Sequence, residues 1–180
     1  ITTAQCDRMI AQAKRQRCMV TTYHNRHWDG NVLQEIKTIR SGAIGDVYRI
    51  DAIMGGYGKP GDWWRSSKSI SGSIVYDWGV HLTEHALQII DSEMVEITGF
   101  AHRGFWDCKS RWKTDINEDE VSAVVRFANG TRFTLTITSI DADTPWERMR
   151  VAGNKGVYRF NHSTWESIVY RNDRRITTRG

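Results

Sequence analysis

The chain has 180 residues, with 25 Lys and Arg against 21 Asp and Glu, which gives a formal net charge of +4. A hydrophobic content of 39% and a charged content of 26% are typical of a globular domain and exclude a disordered or collagen-like chain. No apolar run approaches the ~20 residues that a membrane-spanning helix needs. The basic residues are scattered along the chain, so we expect no binding to nucleic acid and none to a membrane.

The three cysteines are odd in number and far apart in the sequence: Cys6, Cys18 and Cys108. This pattern favours reduced thiols over a disulfide framework and predicts a cytoplasmic protein.

The first 24 residues predict one helix and one strand. Thr2 and Gln5 form a capping box, and apolar residues at helical spacing extend the helix over residues 3–17. The β-branched and aromatic residues Met19 to Tyr23 then predict a strand that would need neighbouring strands to pair with.

The middle of the chain predicts two further helices around a strand and a long loop. Asp29 is the expected N-cap of a helix that stops at Gly42, and residues 46–54 predict a strand. Residues 55–69 are rich in glycine and aromatic residues and predict a functional loop, and residues 71–91 predict a helix.

Strand patterns with intervening turn signals fill the rest of the chain. The predicted strands cover residues 95–103, 121–128, 132–140, 148–152, 157–161 and 167–171. Helices followed by a series of hairpins predict an α+β fold, in which a mostly antiparallel sheet has helices packed on one face. The other face must be solvated or used for association.

The predicted helix over residues 71–91 carries the candidate chemistry. Helical spacing places a set of polar residues on one face: Asp77, His81, Glu84, His85 and Gln88. Asp77 lies one turn before His81, where its carboxylate could bond the imidazole and favour the protonated form. A histidine so placed is a candidate general base near neutral pH.

The same helix contains a zinc-protease-like spacing. His81, Glu84 and His85 match the pattern H-x-x-E-H, in which two histidines one turn apart could chelate zinc. A peptidase would need a further ligand and a substrate groove, so a zinc hydrolase stays an alternative and we expect no metal.

Four stretches together resemble the C-terminal half of the Gfo/Idh/MocA oxidoreductases, the glucose-fructose oxidoreductase and inositol dehydrogenase group. Residues 25–29 (NRHWD) resemble the family's N-R-R-[FW]-D, and residues 42–47 (GAIGDV) match its G-x-[IL]-G-x-[IV] junction. Trp64-Arg65 matches its loop W-R, and residues 71–84 resemble G-G-G-x-x-x-D-x-G-x-H-x-x-D.

The resemblance implies a two-domain enzyme whose N-terminal Rossmann domain binds NAD or NADP. Residues 1–24 resemble the last helix and strand of that Rossmann domain. Residues 25–180 resemble the enzyme's second domain, which binds the substrate and forms the oligomer. The implied reaction moves a hydride between the nicotinamide and a secondary hydroxyl of a sugar, cyclitol or similar polyol. We expect the 180 residues to be inactive alone, and we expect a homo-oligomer, a dimer or tetramer, formed through the open sheet face.

The resemblance also assigns roles to residues of this chain. His81 takes the place of the proton-transferring residue, and Asp77 that of its acidic partner. The implied cofactor-binding residues are Trp64, Arg65 and Asn25. The implied substrate-binding residues are Arg26, His85 and Tyr23. His27 and the segment Ser71-Gly72-Ser73 depart from the family pattern, which has a second arginine and a glycine triplet there.

Two further alternatives stay open within the same fold. A non-catalytic member could use the fold to sense a sugar or nucleotide or to bind a protein, although the presence of Asp77 and His81 argues against it. An NAD-dependent glycoside hydrolase would oxidise its substrate only transiently and leave no net reduced nicotinamide.

Overall fold

A computed structural model describes residues 2–180 and contains four α-helices and eight strands. The helices are α1 (Thr3–Gln16), α2 (Gly30–Arg40), α3 (Lys68–Ser71) and α4 (Trp78–Ile89). The strands are β1 (Val47–Gly55), β2 (Met94–His102), β3 (Glu120–Phe127), β4 (Arg132–Thr138), β5 (Met149–Gly153), β6 (Gly156–Phe160), β7 (Trp165–Arg171) and β8 (Arg174–Arg179).

The eight strands form one sheet in the order β2-β3-β4-β1-β5-β6-β7-β8. All neighbouring strands are antiparallel except β1 and β4, which run parallel with Ile50 opposite Phe133. The parallel pair places the C-terminal end of β1 beside the C-terminal end of β4, where the chain leaves both strands for long loops. The predicted α+β fold with a mostly antiparallel sheet is confirmed.

One face of the sheet carries the core. Val32 of α2 and Leu82 and Ala86 of α4 are buried in one cluster with inward side chains of six strands. Those strand residues include Ile50, Ala52, Phe133, Leu135, Met149, Val151 and Tyr158. Along β1 the buried residues alternate with partly exposed ones, as a strand with one covered face requires. The opposite face carries no helix among the described elements, so helices pack on one side as predicted.

Helix α1 lies outside this core. Its capping box is formed as predicted, with the Gln5 side chain accepting from the Thr2 backbone N–H at 2.7 Å. None of its residues is buried, and Met9 and Ile10 are 51% and 45% exposed. None of the helices in residues 2–180 has the length and apolarity to cross a membrane.

The strand predicted over residues 19–23 is wrong. The segment between α1 and residue 25 has no regular structure, and Met19 and Tyr23 are 90% and 89% exposed. A strand needs backbone partners, and within residues 2–180 no other strand pairs with this segment.

The single helix predicted over residues 71–91 is also wrong, because the segment is broken into pieces. Gly72 adopts φ +94° and ends α3, and a 3₁₀ turn over Ile74–Tyr76 follows. Asp77 has φ −92° and ψ −80°, so it stands at the N-cap of α4 rather than inside a helix. Asp29 is likewise the N-cap of α2, but its side chain makes no capping hydrogen bond.

Glu35 is a buried acid on α2. Its side chain is 0% exposed, and neither carboxylate oxygen has a hydrogen-bond partner among residues 2–180. The hydroxyl of Tyr158 is also buried without a partner. Burial disfavours the charged carboxylate and raises the pKa of Glu35 well above its usual value.

This burial predicts a pH-dependent loss of stability. Because the folded state holds a proton that the unfolded state releases, the free energy of unfolding should fall as pH rises from about 4.5, the ordinary pKa. We expect Glu35→Gln to remove this slope in urea unfolding between acid and neutral pH. Glu93→Gln, at an exposed position, is the control. An unchanged slope in Glu35→Gln would show that Glu35 is ionised in the folded state.

Candidate functional site

A cleft of about 330 Å³ lies where the ends of β1 and β4 meet the start of α4. We call it the Asp77 cleft. Its lining residues are Met54, Gly55, Pro60, Trp63, Arg65, Ser66, Ile74, Asp77, Trp78, Asn117, Ile137 and Arg148. The cleft thus draws on the predicted functional loop, the start of α4 and the segment before β5.

The loop that lines the cleft is held by the buried Asn117 and the partly buried Asp115. The Asn117 side-chain amide donates to the carbonyl of Arg65 at 2.7 Å and to the Ser71 hydroxyl at 2.9 Å. The Asp115 carboxylate accepts from the Ser67 hydroxyl at 2.6 Å and from the Ser69 backbone N–H at 3.0 Å. These bonds fix a loop that has little regular structure, and they set the position of Arg65.

Arg65 pairs with Asp77 across the cleft. Its Nη1 lies 3.7 Å from Oδ1 of Asp77. Its guanidinium also lies over the rings of Trp63 and Trp64, at 4.9 and 5.3 Å from the ring centroids. Cation–π contacts of this kind restrain an arginine while leaving some of its N–H donors free.

His81 does not take the predicted partner. No hydrogen bond joins it to Asp77; its ring instead stacks on His24 at 4.8 Å and meets the edge of Trp78 at 5.8 Å. Its Nδ1 atom is buried without a partner among the described residues. Burial, followed by the charges of His24 and Arg26, lowers the pKa of His81, while Asp77 and Glu84 oppose the shift without cancelling it.

The hydrogen bond expected between Asp77 and His81 is absent, and the physical reason is the break in the helix. Asp77 at the N-cap of α4 faces Arg65, so its carboxylate is engaged by a guanidinium instead of an imidazole. A lowered pKa keeps His81 neutral near pH 7, and the neutral imidazole is the form that accepts a proton.

Glu84 ties the segment before α2 to α4. Its carboxylate lies 2.6 Å from Nδ1 of His27 and 4.0 Å from Nδ1 of His24, and it accepts from the Gln88 amide at 3.0 Å. His27, where the family pattern has an arginine, is therefore hydrogen-bonded to the carboxylate of Glu84. Across residues 2–180, no three His, Cys, Asp or Glu side chains are arranged to hold a metal ion.

His85 lies inside the domain, although helical spacing groups it with the polar residues of α4. It is 6% exposed, and its Nε2 atom lies 3.2 Å from the backbone carbonyl of Arg26. Burial is the main cause of its lowered pKa. His85 thus holds the backbone of Arg26, whose guanidinium lies 5.2 Å from the Trp78 ring centroid and pairs with Asp29 at 3.3 Å.

A narrow crevice of about 20 Å³ adjoins the Asp77 cleft. Its lining includes His81, His85 and Arg26, and it shares Trp78, Arg148 and Met54 with the cleft. The structure therefore brings together five of the predicted site residues around Trp78: Arg26, Arg65, Asp77, His81 and His85. Trp64 stacks beside Arg65, whereas Asn25 and Tyr23 line neither cavity.

Sequence reasoning missed two residues that connect the cavities. The apolar pattern of α4 assigned Trp78 to the core, although it lines both cavities. Arg148 precedes β5, far from α4 in the sequence, and its guanidinium lies 5.4 Å from the Trp78 ring centroid. No motif marks Arg148, because the contact arises only from the sheet topology.

The family model described as the GFO/IDH/MocA C-terminal domain matches residues 33–159. The chain belongs to the GFO/IDH/MocA family.

Solved structures share the fold at low sequence identity. An aldose-aldose oxidoreductase from Caulobacter crescentus, complexed with glycerol, is 19% identical with a TM-score of 0.79, covering 98% of this chain and 52% of that one. A levoglucosan dehydrogenase, complexed with NADH and levoglucosan, is 21% identical with a TM-score of 0.76, covering 96% and 49%. An NAD-binding protein from Listeria innocua is 23% identical with a TM-score of 0.74, covering 91% and 45%.

A curated relative matches part of the chain. An uncharacterised oxidoreductase of Schizosaccharomyces pombe is 29% identical over 79 residues, which is 43% of this chain and 22% of that protein. The chain thus spans about half the length of the solved structures above and less of this relative.

Proposed function

We propose that this chain is the substrate-binding half of an NAD(P)-dependent oxidoreductase that acts on a secondary hydroxyl of a sugar, cyclitol or similar polyol. The observation that carries the proposal is the imidazole of His81, which packs against His24 and Trp78 and has an unpartnered Nδ1, next to a cleft of monosaccharide size. Family membership and the names of the sugar-oxidising structural relatives support it.

The residues of the chain supply proton transfer and alignment. The substrate hydroxyl gives its proton to the unprotonated ring nitrogen of His81 while the hydroxyl-bearing carbon becomes a carbonyl carbon. A bound nicotinamide would supply the acceptor for the hydride that leaves this carbon. Asp77 favours the resulting imidazolium by charge, without a direct hydrogen bond, since it raises the pKa of His81 against the dominant effect of burial.

The residues next to the cleft fit a dinucleotide cofactor. Trp64 is 54% exposed, and Arg65 presents guanidinium donors held against two indole rings. An exposed ring and fixed donors suit a ribose or a pyrophosphate group. In this proposal Trp64, Arg65 and Asn25 would contact NAD or NADP at the edge of the cleft.

Most of the cofactor would be held by a nucleotide-binding domain outside these 180 residues. The uncovered apolar side chains of α1 support this arrangement, since Met9 lines an open groove with Ala13 and Val20. Such a helix normally buries its apolar face against another element. We assign residues 1–24 to that domain and residues 25–180 to the substrate-binding domain.

The open sheet face is the proposed surface for a homo-oligomer. Phe100 and Val124 lie on that face of neighbouring strands and are 70% and 44% exposed. Apolar side chains on an uncovered sheet are typical of an association surface.

The test is nicotinamide-dependent turnover of a panel of neutral and charged sugars and cyclitols. The protein that includes the nucleotide-binding half should reduce NAD or NADP, followed by near-ultraviolet absorbance, while the 180-residue chain alone should not. Substrate cleavage without net reduced nicotinamide would favour a glycoside hydrolase. Absence of both reactions across the panel would contradict the proposal and favour a sensing or protein-binding role.

A further inference from the structure

Resting on the proposed function, we propose that the Asp77 cleft recognises a monosaccharide that carries an anionic group, a carboxylate or a phosphate, and that Arg148 binds that group. Neither the relatives nor the family assignment indicates a charged substrate. The inference depends on the pairing of the charged residues around Trp78.

Arg148 is an unpaired charge at a site where the other arginines are paired. Arg65 pairs with Asp77 at 3.7 Å, and Arg26 pairs with Asp29 at 3.3 Å. Within residues 2–180, no carboxylate oxygen lies within 4.0 Å of the Arg148 guanidinium. Its Nη1 atom is buried and has no hydrogen-bond partner among these residues.

A buried, unpaired guanidinium nitrogen is costly unless a ligand satisfies it. Burial, followed by the charge of Arg26, lowers the pKa of Arg148, yet a guanidinium remains charged at neutral pH. Because Arg148 is only partly buried and lines the cleft, its guanidinium can offer donors to an external anion.

Trp78 holds Arg148 ready for such a ligand. The guanidiniums of Arg148 and Arg26 lie 5.4 and 5.2 Å from the centroid of the same indole ring. His162 meets that ring at 5.8 Å and adds a further polar group. A pre-positioned arginine loses less conformational freedom when it binds, which favours bidentate contact with a carboxylate or phosphate.

The remaining lining of the cleft suits a sugar ring. The indoles of Trp63 and Trp78 offer apolar surfaces, and Ser66 and Asn117 offer hydroxyl and amide groups. The volume of about 330 Å³ lies at the lower end of the usual range for small-molecule sites. This size favours one monosaccharide over an oligosaccharide.

Direct binding measurements test the inference without requiring turnover. The 180-residue chain is titrated by isothermal calorimetry or saturation-transfer NMR with glucose, glucuronate and glucose 6-phosphate. We expect at least one charged sugar to bind about 10-fold or more tightly than glucose, as a charge-assisted hydrogen bond predicts. The charged sugar that binds more tightly identifies the anionic group as carboxylate or phosphate.

Arg148→Gln should abolish this selectivity, and Arg148→Lys should retain part of it. Arg174→Gln removes the same charge from exposed β8 and should leave the selectivity intact. The ratio of affinities within one variant is insensitive to its folded fraction. Equal affinity for glucose and both charged sugars, or selectivity that survives in Arg148→Gln, would overturn the inference. Turnover of neutral polyols in the assay above would leave the proposed function standing in either case.

Discussion

Replacing His81 with Asn should lower kcat for polyol oxidation by roughly 10² to 10⁴, the usual contribution of a positioned general base. Asparagine preserves the approximate size of the side chain but cannot accept the hydroxyl proton. The loss should fall mainly on kcat, because a general base acts on the proton in the transition state and contributes little to substrate binding. The measurement is steady-state kinetics on the protein that includes the nucleotide-binding half.

His102→Asn provides the matched control. His102 lies on the edge strand β2 and lines neither cavity, so this variant should keep the wild-type kcat. A His81→Asn enzyme with unchanged kcat would remove His81 from the mechanism, while leaving the binding role of the cleft intact.

Replacing Glu118 with Gln should destabilise the domain by about 2 kcal/mol or more, because breaking a buried ion pair leaves uncompensated charges. Glu118 is 4% exposed and accepts from Arg103 at 2.6 Å, from Ser73 at 2.9 Å and from Lys68. The side chains of Lys68 and Arg103 are 32% and 52% exposed, so water partly screens their charges and the loss should lie at the low end of the range.

The pH dependence gives a second readout of the same ion pairs. Burial raises the pKa of Glu118, but hydrogen bonds led by Lys68 outweigh it and bring the pKa to about 2. Because this pKa is depressed in the folded state, the stabilisation is present above the ordinary value of about 4.5 and is lost as pH falls toward 2. Glu118→Gln should therefore reduce the acid sensitivity of urea unfolding.

Glu96→Gln is the control for Glu118, since Glu96 pairs with Arg126 at 2.9 Å on an exposed strand. We expect a loss of at most about 1 kcal/mol there. An equal loss of unfolding free energy in both variants would show that the bonds of Glu118 to Lys68 and Ser73 do not stabilise the segment before Asp77.

The hairpins could be predicted from the sequence because their information is local. Alternating apolar residues set the covered face, and turn residues mark the connections, as Asn172 and Asp173 do with φ of 50° and 59° between β7 and β8. The helices α1 and α2 were recognisable for the same reason. The family resemblance supplied the roles of Asp77 and His81, which spacing alone left open.

The remaining features depend on contacts between distant segments. The apolar residues on both sides of the break keep helical spacing, so the periodicity of the sequence does not reveal that α3 ends at Gly72 and that α4 begins only after Asp77. The parallel pairing of β1 with β4 helps to form the Asp77 cleft, because the C-terminal ends of both strands lie there. The antiparallel pairing of β5 with β1 places Arg148, just before β5, next to Trp78. His24 lies in a segment predicted as neither helix nor strand, yet it covers the ring of His81.

NMR titration of the histidine ring protons tests directly whether burial and His24 keep His81 neutral. We expect a pKa below the ordinary 6.5 for His81, a still lower pKa in Asp77→Asn, and a higher one in His24→Gln. A pKa at or above 6.5 in the wild-type chain, or a pKa that rises in Asp77→Asn, would contradict this expectation.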